Sequence, residues 1–254
     1  MKETAALEGK KACTAVLLAA GSGLRMGADI RKQYMRIAGI PMFLYSLRAM
    51  QACPFITDIL LMVPEGDLEM ASAAVSEYAS FEKIRGFCPG GAERFLTVAL
   101  ALEYINWDCD YVFIHDCARP MIDQDTLARL YETVTGGISC VAAVPSKDTI
   151  KITDEEGYVV QTPSRSSMWI VQTPQVFSFG LIREAHRRVV GQQQELAARG
   201  ITITDDAMVA EQMMGEKVKM VMGSYRNIKV TTPEDVGIAE MFLKEDLSAC
   251  HASR

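Results

Sequence analysis

The sequence predicts an α/β fold built on a mostly parallel central sheet of about seven strands. Short apolar runs rich in β-branched residues recur along the chain, and segments with helical periodicity separate them. This alternation is typical of βαβ units. The 254 residues contain no internal repeat and no long linker, so we expect a single domain at 12–244 with flexible ends at 1–11 and 245–254.

The period of the apolar residues defines each element in turn. Seven runs are predicted strands: 15–18, 58–63, 83–87, 111–115, 139–144, 217–222 and 227–230. Seven amphipathic segments are predicted helices: 42–51, 68–78, 94–104, 126–134, 179–190, 205–214 and 233–243. Two helix starts combine a capping residue with acids, at Thr204-Asp205-Asp206 and at Thr232-Pro233-Glu234-Asp235.

One segment, at 145–174, interrupts the βα alternation. Its residues alternate around a Glu156-Gly157 turn, which is typical of a β-hairpin, and a Ser-rich stretch follows. We interpret the segment as a protruding β-arm. The pattern alone fits an ordinary surface hairpin equally well.

Composition and charge exclude several function classes. The net charge of -6 disfavours a nucleic-acid surface. The apolar run at 12–21 is about half as long as a membrane-spanning helix needs to be, so we expect no membrane segment. The first eleven residues do not resemble a signal peptide, and we therefore expect a cytoplasmic protein.

The cysteines and histidines do not predict a disulfide framework or a metal cage. The seven cysteines are scattered and form no C-x-x-C pair, so reduced thiols are expected. His186 and His251 have no partner at ligand spacing, and we expect both to face solvent.

The first glycine loop, Ala19-Ala20-Gly21-Ser22-Gly23, directly follows a predicted strand. It would lie at the carboxyl edge of the sheet, where ligands of such sheets bind. Its spacing matches neither a dinucleotide fingerprint nor a P-loop. Glycine backbone together with Arg25 and Lys32 suits a triphosphate, because main-chain N–H groups and two cations can surround its charges. A plain turn with solvated cations is the alternative.

Two further loops are predicted at the same edge. Gly90-Gly91-Ala92-Glu93-Arg94 is a second glycine turn that opens a helix. Asp116 ends an apolar strand, and Arg119 follows it across a bend. A carboxylate at a strand tip can hold Mg²⁺ beside phosphates, although a capping or salt-bridged aspartate would look the same in sequence.

Taken together, these segments resemble the cytidylyltransferases of the 2-C-methyl-D-erythritol 4-phosphate pathway of isoprenoid synthesis. The resemblance extends from about Ala12 to Leu243. The motifs that support it are AAGSGLRMG (19–27), KQ (32–33), PGGAER (89–94), HDCARP (115–120), VPSKDTIK (144–151), Arg165, QTPQ (172–175), ITDDA (203–207) and NIKVTTPED (227–235). Each motif alone is weak, but their combination in this order is specific.

The resemblance implies a Rossmann-like nucleotidyltransferase fold and a transfer of the cytidylyl group from CTP to 2-C-methyl-D-erythritol 4-phosphate. The acceptor phosphate would attack the α-phosphorus in line, and pyrophosphate would leave. Arg25 and Lys32 match the family's transition-state stabilisers, and Arg165 and Lys229 match the residues that place the acceptor.

The resemblance also implies the remaining ligand contacts. Arg119 and Thr149 would contact the acceptor, and Asp116 would lie between the two ligands, where Mg²⁺ is expected on the triphosphate. The residues implied in CTP binding are Ala19, Ala20, Gly21, Gly23, Arg25, Lys32, Gly91, Ala92, Thr97 and Asp116. In that family the arm crosses to a second subunit and delivers its arginine there, so a homodimer is expected.

The sequence departs from the family pattern at four positions. Arg31 replaces a common proline, Cys117 a usual alanine, Ala92 a polar residue and Arg226 a frequent acid. None of these changes removes a phosphate ligand. Arg226 makes an acid-mediated contact at that position doubtful.

Three alternative functions remain open from the sequence. A ribitol 5-phosphate cytidylyltransferase would share the fold and the nucleotide loops, and Asp148-Thr149-Ile150-Lys151 favours the methylerythritol enzyme over it. A sugar-nucleotide pyrophosphorylase would need a longer chain, or a second acid where Lys229 lies. A sensor that binds CTP without turnover would not need two separate sets of cations.

Overall fold

The computed structural model describes residues 11–21 and 34–252, with side chains up to Glu245. Its strands are β1 (Cys13–Leu18), β2 (Arg36–Ile37), β3 (Ile40–Pro41), β4 (Asp58–Val63), β5 (Ile84–Pro89), β6 (Tyr111–Asp116), β7 (Cys140–Pro145), β8 (Ile152–Thr153), β9 (Val159–Gln161), β10 (Trp169–Ser178) and β11 (Lys219–Met222). Its helices are α1 (Met42–Ala52), α2 (Leu68–Tyr78), α3 (Arg94–Tyr104), α4 (Gln124–Thr135), α5 (Phe179–Gly191), α6 (Gln193–Ala198), α7 (Asp206–Met214) and α8 (Pro233–Ala252).

Seven strands form the central sheet in the order β11-β7-β10-β6-β1-β4-β5. All neighbours pair in parallel except β10, which is antiparallel to both β6 and β7. The chain proceeds from β1 towards β4 and β5, then returns to β6 on the other side of β1. Such a reversal opens a crevice at the carboxyl ends of the two strands. The predicted α/β class and mostly parallel sheet are confirmed.

The core has two halves, one on each face of the sheet, because successive side chains of a strand point to opposite faces. In β1, Ala15 and Leu17 face one side of the sheet, where they join α1, α2 and α4. Val16 faces the other side with residues of α3, α5 and α7. Because successive side chains of a strand point to opposite faces, one apolar strand supplies both layers. The β1 residues named here are fully buried, and the resulting rigid centre positions the loops at the sheet edge.

The seventh strand of the sheet differs from the one that the sequence predicts. Residues 227–230 are not a strand. Val230 N donates to Ala118 O, Asn227 O accepts from the Arg119 side chain, and the Asn227 side chain donates to Thr173 O of β10. The missing strand is β10, whose pairing with β7 shifts register between Val171 and Gln175. A proline at 174 is accommodated at that irregularity.

The predicted arm contains an exposed hairpin, β8 and β9, closed by a turn at Gly157. Gly157 has φ +88°, which a glycine adopts without strain. Every residue from 147 to 162 is exposed, whereas β10 returns the chain to the central sheet from Trp169 onwards. The hairpin therefore projects away from the core.

The predicted exposure of His186 is wrong. The side chain is only 1% exposed, because it lies on the same face of α5 as Ile182 and Val189, which pack into the core. The spacing of four residues from Ile182 placed it on the apolar face. His251 lies outside the residues whose side chains are described.

None of the helices in the described ranges has both the length and the apolar character that a membrane crossing requires.

Candidate functional site

Three loops meet at the carboxyl edge of the sheet. Leu18 of β1 lies beside Asp116 of β6, and Cys117 N donates to Leu18 O at 3.0 Å. On the other side of β1, Ala19 N donates to Met62 O at 2.8 Å, and Gly90 N donates to Val63 O at 2.8 Å. The segments predicted to form one rim, after β1, β5 and β6, are thus brought together.

The two glycine turns approach each other so closely that position 90 needs glycine. A Cβ added to Gly90 would collide with the Cβ of Ala20 and would lie 3.1 Å from Thr97 Oγ1. A Cβ on Gly91 would lie 2.9 Å from that of Leu96. The missing side chains let the backbone of one loop pack onto the other.

Some of the predicted main-chain donors are already bonded inside the protein. The N–H of Ala19 is used by Met62 O, and the N–H of Gly91 donates to Thr97 Oγ1 at 3.0 Å. Within the described residues, the N–H groups of Ala20, Gly21 and Ala92 have no partner. These three are the backbone donors that remain for a ligand.

Thr97, a predicted nucleotide contact, is only 4% exposed and lies beside the second glycine turn. Its hydroxyl lies 3.1 Å from Glu93 O, to which it can donate, while it accepts from Gly91 N. In the structure, these two hydrogen bonds of Thr97 stabilise the second glycine turn.

Asp116 belongs to a row of four charged side chains that the sequence did not predict. Its Oδ1 accepts from Arg94 Nε at 3.0 Å, and its Oδ2 accepts from Lys229 Nζ at 2.7 Å. Arg94 Nη2 also donates to Asp206 Oδ2 at 2.8 Å. The row therefore alternates in charge from Asp206 through Arg94 and Asp116 to Lys229.

The cations keep both carboxylates of the row ionised. Burial alone would raise the pKa of Asp116, but Arg94 and Lys229 outweigh it and hold that pKa well below its ordinary value. Burial likewise opposes ionisation of Asp206, and Arg94 lowers its pKa in spite of it. The two carboxylates in turn raise the pKa of Arg94.

Arg119 is bonded to main-chain carbonyls. Its Nη1 donates to Asn227 O at 2.8 Å and its Nη2 donates to Val171 O at 3.2 Å. It thus fastens the segment that bears Lys229 to β10. Its Nε is buried and has no hydrogen-bond partner among the described residues.

Arg165 and Thr149 are neighbours at the base of the hairpin. Arg165 Nη2 donates to Thr149 Oγ1 at 3.0 Å, and both residues are exposed. In the described part of the chain, no hydrogen bond or ion pair joins this pair to Asp116 or Lys229. The structure thus brings the two arm residues to each other but does not join them to the row.

Four residues singled out from the sequence, Gly23, Arg25, Arg31 and Lys32, lie at 22–33, outside the described residues. Among the described residues, no group of three or more histidine, cysteine, aspartate or glutamate side chains is arranged to hold a metal ion.

His115 orients the backbone of Asp116 from inside the core. Its Nε2 lies 3.1 Å from Arg119 O, an acceptor, so this nitrogen bears the proton. Its Nδ1 then accepts from Thr173 Oγ1 at 3.0 Å, and the same hydroxyl accepts from Asp116 N at 3.0 Å. The ring is fully buried, and burial lowers its pKa to about 4, only partly offset by Asp116.

We expect this neutral histidine to make stability depend on pH. An unfolded histidine binds a proton near pH 6.5, whereas His115 in the fold does so only near pH 4. Its stabilising contribution is therefore complete above about pH 6.5 and declines as the pH falls towards about 4, by about 2 to 3 kcal/mol in total.

Urea unfolding at about pH 7 and about pH 4.5 measures this loss, with His115→Gln as the comparison. The variant should lose less stability between the two pH values than the wild type does. Equal losses in both proteins would contradict a neutral buried His115.

Comparison with known proteins gives one consistent result. The family model described as 2-C-methyl-D-erythritol 4-phosphate cytidylyltransferase matches residues 13–245. A relative of that name from Geotalea uraniireducens is 44% identical over 233 residues, covering 91% of this chain and 96% of the relative. Another from Lachnospira eligens is 43% identical over 231 residues, covering 91% and 99%.

Solved structures agree with the sequence comparison. A 4-diphosphocytidyl-2C-methyl-D-erythritol synthase from Anaerococcus prevotii superposes with a TM-score of 0.80 at 28% identity, covering 92% of this chain and 97% of that one. A 2-C-methyl-D-erythritol 4-phosphate cytidylyltransferase from Thermus thermophilus gives 0.69 at 28% identity, covering 91% and 98%.

Proposed function

Because the chain belongs to the 2-C-methyl-D-erythritol 4-phosphate cytidylyltransferase family, we propose how its residues divide the work of that reaction. The chain is a nucleotidyltransferase of isoprenoid synthesis. It transfers the cytidylyl group of CTP to 2-C-methyl-D-erythritol 4-phosphate, which gives 4-diphosphocytidyl-2-C-methyl-D-erythritol and pyrophosphate.

The nucleotide binds between the two glycine turns. The N–H groups of Ala20, Gly21 and Ala92, which have no partner among the described residues, support this assignment because they lie on the two glycine turns. The further nucleotide residues of the proposal are Ala19, Gly23, Arg25, Lys32, Gly91, Thr97 and Asp116. Arg25 and Lys32 neutralise the charge that accumulates on the phosphoryl oxygens.

The acceptor phosphate binds at Lys229, and this assignment depends chiefly on the contact between Lys229 and Asp116. The Lys229 side chain is 44% exposed while its ammonium is held by a buried carboxylate, so a cation is presented at the crevice in a fixed place. Arg119, Thr149 and Arg165 complete the acceptor side of the proposal.

With both ligands placed, the chemistry needs positioning and cations. A phosphate oxygen of the acceptor forms a bond to the α-phosphorus of CTP, and the bond from that phosphorus to the bridging oxygen of pyrophosphate breaks in line. The attacking oxygen supplies a lone pair to the new bond, and the electron pair of the broken bond leaves on the pyrophosphate oxygen, so no proton transfer is required of the protein. Preorganised positive groups lower the barrier by stabilising the developing charge.

Mg²⁺ belongs to the proposal as a companion of the nucleotide. Asp116 is a poor sole ligand, because each of its oxygens already faces a cation. Mg²⁺ commonly keeps several waters and binds substrate phosphates with one or two carboxylates. The phosphates and water would hold most of it, with Asp116 adding negative charge nearby, and it would neutralise phosphate charge when bound.

We also propose a homodimer in which the hairpin reaches the partner's site. The arm exposes a run of large apolar side chains that a monomer would leave in water: Ile150, Ile152, Tyr158, Val159, Val160, Trp169 and Ile170. Exposed apolar patches of this kind typically mark contact surfaces. Arg165 and Thr149 at the base of the arm would then serve the partner's acceptor site.

Mixed dimers test this exchange of arms. If Arg165 of one subunit serves the other's site, a dimer of Arg165→Ala and Lys32→Ala chains has one complete site and one without either residue. We expect such a dimer, purified with two tags, to show about half the wild-type turnover while each parent variant is nearly inactive. Activity no higher than that of the parents would contradict the crossing arm.

The reaction itself is tested by pyrophosphate release with Mg²⁺, CTP and each acceptor in turn. We expect 2-C-methyl-D-erythritol 4-phosphate to be the preferred acceptor. Preference for ribitol 5-phosphate would reassign the acceptor, and no release with any acceptor, despite CTP binding, would indicate a nucleotide sensor.

A cytoplasmic location completes the proposal. It is supported by the state of five described cysteines, because Cys53, Cys88, Cys109, Cys117 and Cys140 are free thiols, as expected in a reducing compartment.

A further inference from the structure

Asp206 is a buried carboxylate that the reaction as described above does not use. It is the first residue of α7 and is completely buried. Burying a carboxylate is costly unless it is paired, and its ionic partner in the row is Arg94. Its other oxygen lies 3.3 Å from His186 Nε2, outside hydrogen-bond geometry.

The amino end of α7 does not need this side chain as a cap. Asp205 caps the helix by accepting from Met208 N at 2.9 Å. Gln175 Oε1 accepts from the backbone N–H groups of both Asp206 and Ala207, each at 2.9 Å. With these donors satisfied by other groups, the carboxylate of Asp206 is not needed as a cap, and it faces Arg94 on one oxygen and the His186 ring on the other.

Arg94 is held between two carboxylates by two different nitrogens of its guanidinium. Nη2 donates to Asp206 and Nε donates to Asp116. A planar guanidinium has five donors in a rigid fork, so fixing one end fixes the direction of the other. Asp206 therefore determines how Arg94 approaches Asp116.

The contact between Asp206 and Arg94 also affects Lys229, the proposed acceptor residue. The row contains two carboxylates and two cations, and Asp116 is shared between Arg94 and Lys229. Without the charge of Asp206, Arg94 would have Asp116 as its only carboxylate in the row. Arg94 would then compete with Lys229 for it, and the partly exposed ammonium would lose its fixed position.

We propose that Asp206 is a positioning residue for cytidylyl transfer: it holds Arg94 so that Asp116 keeps Lys229 in place for the acceptor phosphate. The inference rests on the proposed role of Lys229. It adds a residue on α7, remote in sequence from the nucleotide loops, to the groups on which catalysis depends.

The test compares Asp206→Asn with Asp58→Asn. Asp58 is also a buried carboxylate paired with an arginine, Arg85, but it begins β4 and so lies at the opposite edge of the sheet. Both variants lose a buried charge and are expected to lower Tm. Steady-state constants for CTP and for 2-C-methyl-D-erythritol 4-phosphate, with Mg²⁺ present, separate a positioning role from a structural one.

For Asp206→Asn we expect kcat to fall about 10- to 100-fold and the acceptor KM to rise, with the CTP KM nearly unchanged. Asp58→Asn should keep wild-type constants. Wild-type constants in a folded Asp206→Asn protein would overturn the inference, and so would a change confined to the CTP KM.

Arg94→Lys provides a second test of the inference if the Asp206→Asn protein does not fold. Lysine keeps the charge, but its single ammonium lacks the fork that spans both carboxylates. The same pattern of constants is expected, and wild-type behaviour would overturn the inference. A wild-type protein that released no pyrophosphate would instead defeat the proposed function itself.

Discussion

Replacing Lys229 with methionine is expected to lower kcat/KM for the acceptor by about 100- to 1,000-fold. Its ammonium is held by Asp116, and 44% of the side chain is exposed. Removing one preorganised donor to a developing oxyanion typically costs this much. Methionine keeps most of the side chain's volume, so the loss should come from the charge.

Initial rates of pyrophosphate release, with acceptor and CTP varied separately, measure the effect. Lys219→Met is the matched control, because Lys219 is exposed at the amino end of β11, on the far edge of the sheet. The control should behave as the wild type. A Lys229→Met protein with normal acceptor constants would remove Lys229 from the acceptor site.

Arg25→Ala is expected to raise the activation free energy by about 2 to 4 kcal/mol, which lowers kcat roughly 30- to 1,000-fold. If Arg25 stabilises charge that appears only in the transition state, turnover should suffer more than nucleotide binding. A plain turn with solvated cations would instead leave turnover unchanged.

Single-turnover rates with saturating CTP and CTP binding measured by calorimetry distinguish these outcomes. Arg48→Ala serves as the control, because Arg48 is exposed on α1. A higher KM for CTP with normal turnover would limit Arg25 to ground-state binding.

Elements with strong local signals were predictable from the sequence. Helices α2 and α3 have the predicted ends, and β4 also matches at both ends. In each, an apolar period and the flanking turns point to the same structure. Local signals of this kind require no knowledge of distant residues.

Strand β10 was not predictable in the same way. Its sequence, WIVQTPQVFS, contains a proline and three polar residues that are buried in the structure. These polar residues serve particular partners: Gln172 and Thr173 bond Asn227, and Gln175 bonds the start of α7. Tertiary contacts, which no local pattern encodes, make this segment a strand.

The ionic row of the site also depends on tertiary contacts that a local sequence pattern does not encode. Asp116 and Lys229 were both expected to contact ligands, but they are 113 positions apart, and their mutual contact is set by the topology of the sheet. Arg94 and Asp206 were recognised in the sequence as residues at helix starts, within the motifs PGGAER and ITDDA, but no role in the site was predicted for either. Nothing in the local pattern indicated that the two side chains would pair.

The most direct test of the whole account is a crystal structure of the protein with CTP and Mg²⁺. We expect the cytidine between the turn at 19–21 and the turn at 90–92, hydrogen-bonded by backbone N–H groups there, with Arg25 and Lys32 on the phosphates and Lys229 facing the α-phosphorus across the crevice. Nucleotide density anywhere else, with Arg25 and Lys32 turned towards solvent, would contradict the account.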